Sequence, residues 1–336
     1  MIRLALPSGI RATIDPVGAT LVELWVPDRD GRLDDILLGH EHPGQGARRF
    51  YGSTVGRYAN RIAGAAFMLD GQTHRLSAND GPHCLHGGAD GFDLRRWQVE
   101  AQDEAAVTLA LVSPDGDQGF PGRLEARVTY ALTDGPDGAR LEIGMQATTD
   151  RATPVSLTNH AYFNLGGVTD PARLRGIDDH RLSVAAARYL PVTDQAIPLP
   201  EAPAPVDLTP LDLRQGALLG DRLRLDHPQL HAVRGIDHCF ALDGTGFRAA
   251  AVLTHEASGR QMVLWTDQPG LQVYTGNFLD GTGRGKAGAG YRMGDAICLE
   301  PGAWPDAPNR SDFPSATLRP GETWHHRMAL AFPAPR

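Results

Sequence analysis

The sequence predicts an all-β protein, a large antiparallel β-sandwich with few short helices. Three observations carry this reading. Glycine (39) and proline (25) are abundant, which favours many turns over long helices. Apolar and polar residues alternate with a period of two in several segments. Short apolar runs are joined by two- or three-residue turn signals.

The elements follow in chain order. Residues 65–69 and 72–76 flank Asp70-Gly71, a strong two-residue hairpin signal. Leu124, Ala126, Val128 and Tyr130 alternate with Glu125, Arg127 and Thr129, and Leu141, Ile143, Met145 and Ala147 repeat the pattern. The segment 197–210 is proline-rich and reads as a long loop crossing one domain, because the strand patterns on both sides are alike. Only 213–223 has a short helical period, weakened by Gly216 and Gly220. Residues 247–254 and 261–265 flank Ala257-Ser258-Gly259, a second hairpin, and 271–275, 296–300 and 323–332 read as further strands. No composition shift marks a boundary, so residues 1–336 read as a single domain.

Charge and composition exclude some function classes. A formal net charge of −8 with no Lys/Arg stripe argues against a nucleic-acid partner. No run of about 18 apolar residues suggests a membrane span, and Met1-Ile2-Arg3-Leu4-Ala5-Leu6 is broken too soon by Pro7 to be a secretory signal. Cys84, Cys239 and Cys298 are an odd, widely spaced set that fits a reducing compartment. The expectation is a cytoplasmic protein, monomer or homodimer, whose partner is a small molecule.

Chemistry concentrates in a few segments. Thr158-Asn159-His160-Ala161-Tyr162-Phe163-Asn164-Leu165 and Cys298-Leu299-Glu300-Pro301 each set one ionisable residue in an apolar, strand-like run. Histidine and glutamate have ordinary pKa values of roughly 6.5 and 4.3, so near neutral pH one can give a proton while the other takes one. Strand alternation puts Gln272 on one face with Tyr274, Glu300 opposite Ile297 and Leu299, and His160 with Thr158 and Tyr162. A face mixing Glu, Gln, His and Tyr suits a polyhydroxylated ligand. Each residue alone is equally a hydrogen-bonded polar group at a strand end.

Other segments stay open on their own. Arg57-Tyr58-Ala59-Asn60-Arg61-Ile62 is a hydroxyl- or carboxylate-orienting fork or a surface salt-bridge segment. Asp237 precedes an apolar strand as turn acceptor or site residue. His83 and His86 are a weak metal fragment with no second pair of zinc-like spacing, and Cys84 would point away from them. His325-His326 reads as solvent-facing edge. Gly281-Thr282-Gly283-Arg284-Gly285-Lys286 lacks the strand–loop–helix setting of a phosphate cradle and reads as a mobile loop.

Five motifs in order resemble the aldose 1-epimerase (galactose mutarotase) family. They are Gly56-Arg57-Tyr58-Ala59-Asn60-Arg61-Ile62, Leu85-His86-Gly87-Gly88, Thr158 to Leu165, Gln272-Val273-Tyr274-Thr275-Gly276-Asn277-Phe278, and Cys298-Leu299-Glu300 with Pro305-Asp306-Ala307-Pro308-Asn309. The resemblance spans residues 51–332 and implies exchange of the α and β anomers of free aldoses without metal or organic cofactor. By the matching motifs it implies His160 as general acid and Glu300 as general base. Asn60, Arg61, His86, Asp237 and Gln272 are implied to bind substrate. Cys84, and Gly302 where relatives commonly carry Gln, depart from the pattern and bear on sugar preference. A hexose-6-phosphate epimerase, a non-catalytic sugar-binding protein and a glycosidase using Asp237 with Glu300 are the competing readings.

Overall fold

The long hairpin predicted at the centre of the chain is the spine of the largest sheet. Leu124–Gly135 pairs with Gly138–Thr149 in antiparallel register, with Val128 opposite Met145 and Tyr130 opposite Ile143. One face is buried from Leu124 to Leu132 and from Leu141 to Ala147, as period-two alternation requires. The structure is a computed structural model describing residues 1–336 except 8, 41–48, 136–137, 173, 283 and 334–336.

Around this hairpin runs a nine-stranded sheet ordered Gln98–Gln102, Ala106–Ser113, Leu124–Gly135, Gly138–Thr149, Trp324–Phe332, Arg260–Thr266, Arg248–His255, His180–Val184, Ala217–Leu218. A six-stranded sheet is ordered Tyr162–Phe163, Ile297–Gly302, Gly270–Tyr274, Asp237–Ala241, Arg188–Tyr189, Ala204–Pro205. The pairings between named strands are antiparallel. Leu271, Val273, Ile297, Leu299 and Phe240 of the smaller sheet join Val128, Ile143, Leu264 and Leu330 of the larger one in a single hydrophobic core. That core runs from Ile2 to Phe332 and makes the molecule a sandwich. A four-stranded sheet of Ile2–Ala5, Arg11–Asp15, Thr20–Pro27 and Leu33–Asp35 contributes Leu4, Ile14, Leu21 and Leu24 to it. Leu299, one residue before Glu300, is 1% exposed, and its truncation to alanine would cost about 2–5 kcal/mol.

The Asp70-Gly71 hairpin forms between Ala66–Leu69 and Gln72–Arg75, with φ of 49° and 77° at the two turn residues. Positive φ at both is the turn that matches strand twist. The expected helix over 213–223 shrinks to Leu219–Leu223, because Ala217–Leu218 instead forms an edge strand and Gly216 takes φ +76°. Sequence reasoning missed a helix at Pro228–Val233, where Pro228 starts the first turn and His227 Nδ1 accepts from Gln229 N at 3.2 Å. The proline-rich segment is mostly loop but lends Ala204–Pro205 to the smaller sheet.

Two other expectations need correction. His325 is exposed, whereas His326 is fully buried, its Nδ1 3.0 Å from Leu157 O and its Nε2 3.3 Å from Thr266 Oγ1. Alternation places His326 on the inward face with Met328 and Leu330. The loop read as mobile ends in an anchor: Lys286 Nζ donates to the buried carboxylate of Asp35 and to Leu37 O at 2.8 Å. Gly283 in that loop lies outside the described residues. The three cysteines are buried and none is in a disulfide, and Cys84 packs with Tyr58, Ile62 and Phe120. Among the described residues, no helix is long and apolar enough to cross a membrane.

Candidate active site

Register builds one half of the site. In the smaller sheet, Glu300 lies opposite Gln272 and Cys298 opposite Tyr274. On the next strand Cys239 lies opposite Gln272 and Asp237 opposite Tyr274. Because alternate residues face opposite sides, Leu271, Val273 and Leu299 enter the core while the polar set faces away from it. A one-residue slip would exchange the two sets.

His160 arrives by a different route. Thr158–Asn159 pairs with Thr54–Val55, and Tyr162–Phe163 pairs with the Glu300 strand at Cys298 and Ile297. Between them His160 N donates to Ser53 O at 2.9 Å and His160 O accepts from Gly52 N at 2.9 Å. The imidazole stacks with Tyr162 (centroids 5.1 Å apart, 17°) and with Phe50 (5.7 Å, 20°). Its Nε2 stands 3.6 Å from Glu300 Oε1, with the side chains 6% and 5% exposed. Asn159 and Asn164 in the same motif are scaffold: Asn159 Nδ2 donates to Gly52 O at 2.7 Å, and Asn164 Nδ2 to Arg175 O at 2.6 Å.

Asn60, Arg61 and His86 come from a small ribbon in which Arg61–Ile62 pairs with Cys84–Leu85. Asn60 (φ 66°) and His86 (φ 50°) take left-handed backbones at its end, a conformation uncommon for residues other than glycine. Asn60 N donates to His86 Nδ1 at 3.2 Å, and His86 N donates to Asn60 O at 3.1 Å. With Nδ1 accepting, the neutral His86 ring carries its proton on Nε2. Asn79 pins the turn by donating to Leu85 O (2.9 Å) and Gly88 O (3.0 Å) and accepting from Leu85 N (2.7 Å). Gly87 is required there: its φ is +86°, and a Cβ would come within 2.0 Å of Gly56 O.

Other motif residues hold these pieces together. Arg61 Nε donates to Asp80 Oδ2 at 2.8 Å. Asp306 N donates to Arg61 O (2.8 Å) while its Oδ1 accepts from Ala63 N (2.9 Å), tying the ribbon to the segment after Glu300. Asp237 Oδ1 accepts from Gln272 Nε2 at 2.6 Å. The Thr275-Gly276-Asn277 motif fixes the turn before Asp237, with Ile236 N donating to Thr275 Oγ1 (3.1 Å) and Asn277 Nδ2 to Ile236 O (3.0 Å).

The seven residues expected from the sequence therefore meet in one place. Asn60, Gln272 and Glu300 line a narrow cleft with Thr158, Cys239, Pro301 and Gly302. Asp237 joins it through Gln272, and Arg61 acts electrostatically on both Asp237 and Glu300. His86, His160 and Glu300 each bring a donor atom within 4.8 Å of the others, a spacing that could also hold a metal ion. His83 is not part of it. Its Nδ1 accepts from Gly64 N (3.0 Å) and its Nε2 lies 2.9 Å from Gln195 Oε1. A second group, Asp179, His180 and His255, has metal-like spacing. There His180 Nε2 accepts from Leu165 N at 2.9 Å, so its neutral ring turns a proton, not a lone pair, toward Asp179.

Burial dominates the electrostatics. It pushes Glu300 well above the ordinary carboxylate range, the Asp237 charge adds to that, and Arg61 opposes it. Asp237 is raised by burial, against Arg61 and the Gln272 hydrogen bond. Burial pushes His160 down to about 4, its own backbone pulling the other way. This inverts the order expected from ordinary values, because both groups are driven toward their neutral forms. Sequence reasoning left Phe50 and Cys239 out of the site and placed Thr158 on the His160 face without giving it a role. Phe50 has φ 60° and follows no periodic pattern, so nothing local announced it.

Comparison with known proteins agrees. The family model described as aldose 1-epimerase matches residues 1–331. The chain is 43% identical to galactose mutarotase from Homo sapiens over 326 residues, 96% of this chain and 91% of that protein. It is 39% identical to aldose 1-epimerase from Escherichia coli K12 over 323 residues, 94% and 90% of the two chains. The fold matches a GalM/aldose epimerase homologue from C. elegans with TM-score 0.88 and 31% identity over 98% of each chain. It also matches a galactose 1-epimerase from Lactobacillus acidophilus with TM-score 0.84 and 29% identity, covering 98% of this chain and 93% of that one. With sequence and fold alike over nearly its whole length, the chain belongs to the aldose 1-epimerase family.

Proposed function

We propose that the cleft exchanges the α and β anomers of free aldoses such as galactose or glucose, with Glu300 as general base and His160 as general acid. The observation that carries the role assignment is the buried His160 Nε2–Glu300 Oε1 pair at 3.6 Å. The anomeric hydroxyl oxygen and the ring oxygen hang on the same carbon, so groups that deprotonate one and protonate the other must lie side by side. A glycosidase instead spaces two carboxyl groups about 5–9.5 Å apart and would leave His160 without a role.

Glu300 takes the proton of the C1 hydroxyl while His160 gives one to O5, and the C1–O5 bond breaks to leave an open-chain aldehyde. Rotation about C1–C2 presents the other face of the carbonyl. Reverse transfers close the ring as the other anomer, and no proton or electron is gained or lost overall. Asn60, Arg61, His86, Asp237 and Gln272 hold the remaining hydroxyls, which keeps O5 within reach of C1. Among the described residues, Arg61 is engaged by Asp80 and Arg49 by Asp280, which supports a free sugar over a sugar phosphate. The continuous core supports one domain over residues 1–336. Polarimetry on freshly dissolved α-galactose and α-glucose tests the assignment. Mutarotation no faster with protein than without it would refute it.

A further inference from the structure

We propose that Thr158 is a further substrate-contact residue, its hydroxyl bonding one hydroxyl of the sugar; this rests on reading the cleft as the aldose site. Thr158 is 2% exposed and lines the cleft with Asn60, Gln272 and Glu300. Its Oγ1 is buried and has no hydrogen-bond partner among the described residues. Buried polar groups are seldom left unbonded, because nothing repays the loss of water.

The other unbonded buried atoms frame the argument. Arg57 Nε and Arg95 Nε belong to guanidinium groups whose two remaining nitrogens are bonded, Asn159 Oδ1 to an amide whose nitrogen is bonded, and His160 Nδ1 to the ring that meets Glu300 through Nε2. Thr158 has one polar side-chain atom, and that atom is unspent. Valine would fill the same space without the penalty, so the strand alone gives no reason for a hydroxyl here.

The cleft supplies the reason. Gln272 Oε1 is also buried and unbonded, its amide nitrogen being committed to Asp237. A cleft lined by two residues whose side-chain oxygens, one an amide acceptor and one a hydroxyl, have no partner among the described residues is complementary to hydroxyl groups, which donate and accept. Thr158 also lies two residues from His160, so a ligand hydroxyl held by Thr158 is held beside the acid–base pair.

The test is a cycle between variant and substrate. Wild type, Thr158→Val and Thr158→Ser are assayed by polarimetry, with background subtraction, on galactose and on its 2-, 3-, 4- and 6-deoxy analogues. Thermal unfolding checks the fold of each variant. Thr158→Val should lower kcat/KM on galactose about 5–100-fold, mainly through KM, and Thr158→Ser should restore most of it. One deoxy sugar, lacking the bonded hydroxyl, should be turned over equally by wild type and Thr158→Val. Thr158→Val within twofold of wild type on galactose would overturn the proposal. So would an equal loss on every analogue, which marks a structural effect. Wild type failing to accelerate anomer exchange at all would overturn the functional reading together with this one.

Discussion

Glu300→Gln keeps the size of a side chain that is 5% exposed but removes its ability to accept a proton. Loss of a general base typically lowers the rate about 10²–10⁴-fold, and that fall is expected in kcat/KM for mutarotation. The same change should leave the fold more stable, not less, above acid pH. Burial raises the folded-state pKa of Glu300 well above the usual carboxylate value. Its contribution to stability is therefore fully present below the unfolded pKa, near 4.3, and is lost as pH rises through the folded value. Each unit of raising costs about 1.4 kcal/mol once the carboxyl must ionise in place. With about 2.1 cal/mol/K per residue over 336 residues, the unfolding entropy is about 0.7 kcal/mol/K, so each kcal/mol moves Tm about 1.4 °C. The amide does not ionise. Its Tm should match wild type near pH 4 and exceed it at pH 8, with the gap opening between. Polarimetry and calorimetry at the two pH values read both effects. A rate within threefold of wild type removes Glu300 from the base role, and a variant less stable than wild type at pH 8 refutes the burial argument.

Other expectations follow from the same site. The pH dependence of kcat/KM should be bell-shaped, because the working form holds one proton on His160 and none on Glu300. Since His160 is lowered to about 4 and Glu300 is raised, the acid limb belongs mainly to the imidazole and the basic limb mainly to the carboxyl, with both values shared by the pair. His160→Asn should be slow and should lose the basic limb, its residual rate rising with pH and levelling off; a basic limb that persists would point to another acid, His86 first. Prolonged EDTA dialysis should leave the rate unchanged, and added zinc should inhibit by occupying His86, His160 and Glu300; a rate lost to EDTA and restored by zinc would contradict this. Asn79→Ala removes three hydrogen bonds that pin the His86 turn, and at about 1 kcal/mol each should lower Tm by roughly 4 °C. Its KM should rise, and a Tm and KM both equal to wild type would show that Asn79 does not hold the turn.

How far the sequence could be read depends on whether a feature is local. The Asp70-Gly71 turn and the alternation from Leu124 to Ala147 depend only on near neighbours, and both appear as expected. The face shared by Gln272 and Tyr274 also followed from period-two geometry. His326 shows the limit: the same alternation pointed inward, but a histidine was assumed to prefer solvent, and Leu157 O and Thr266 Oγ1 satisfy it inside. The helix at Pro228–Val233 was hidden because histidine is not a typical cap. The approach of Phe50 to His160 joins segments more than a hundred residues apart, and only the fold creates it. So does the inversion of the two pKa values, because desolvation depends on tertiary burial and not on residue type.

The central claim is that His160 and Glu300 work as one proton-transfer pair on C1–O5. A polarimetric double-mutant cycle with wild type, His160→Asn, Glu300→Gln and the double variant on fresh α-galactose tests it most directly. Residues acting as a unit are strongly non-additive, so the double variant should be about as slow as the slower single one. Losses that multiply, so that the two effects add in free energy, would show that the side chains act independently and would contradict the paired mechanism.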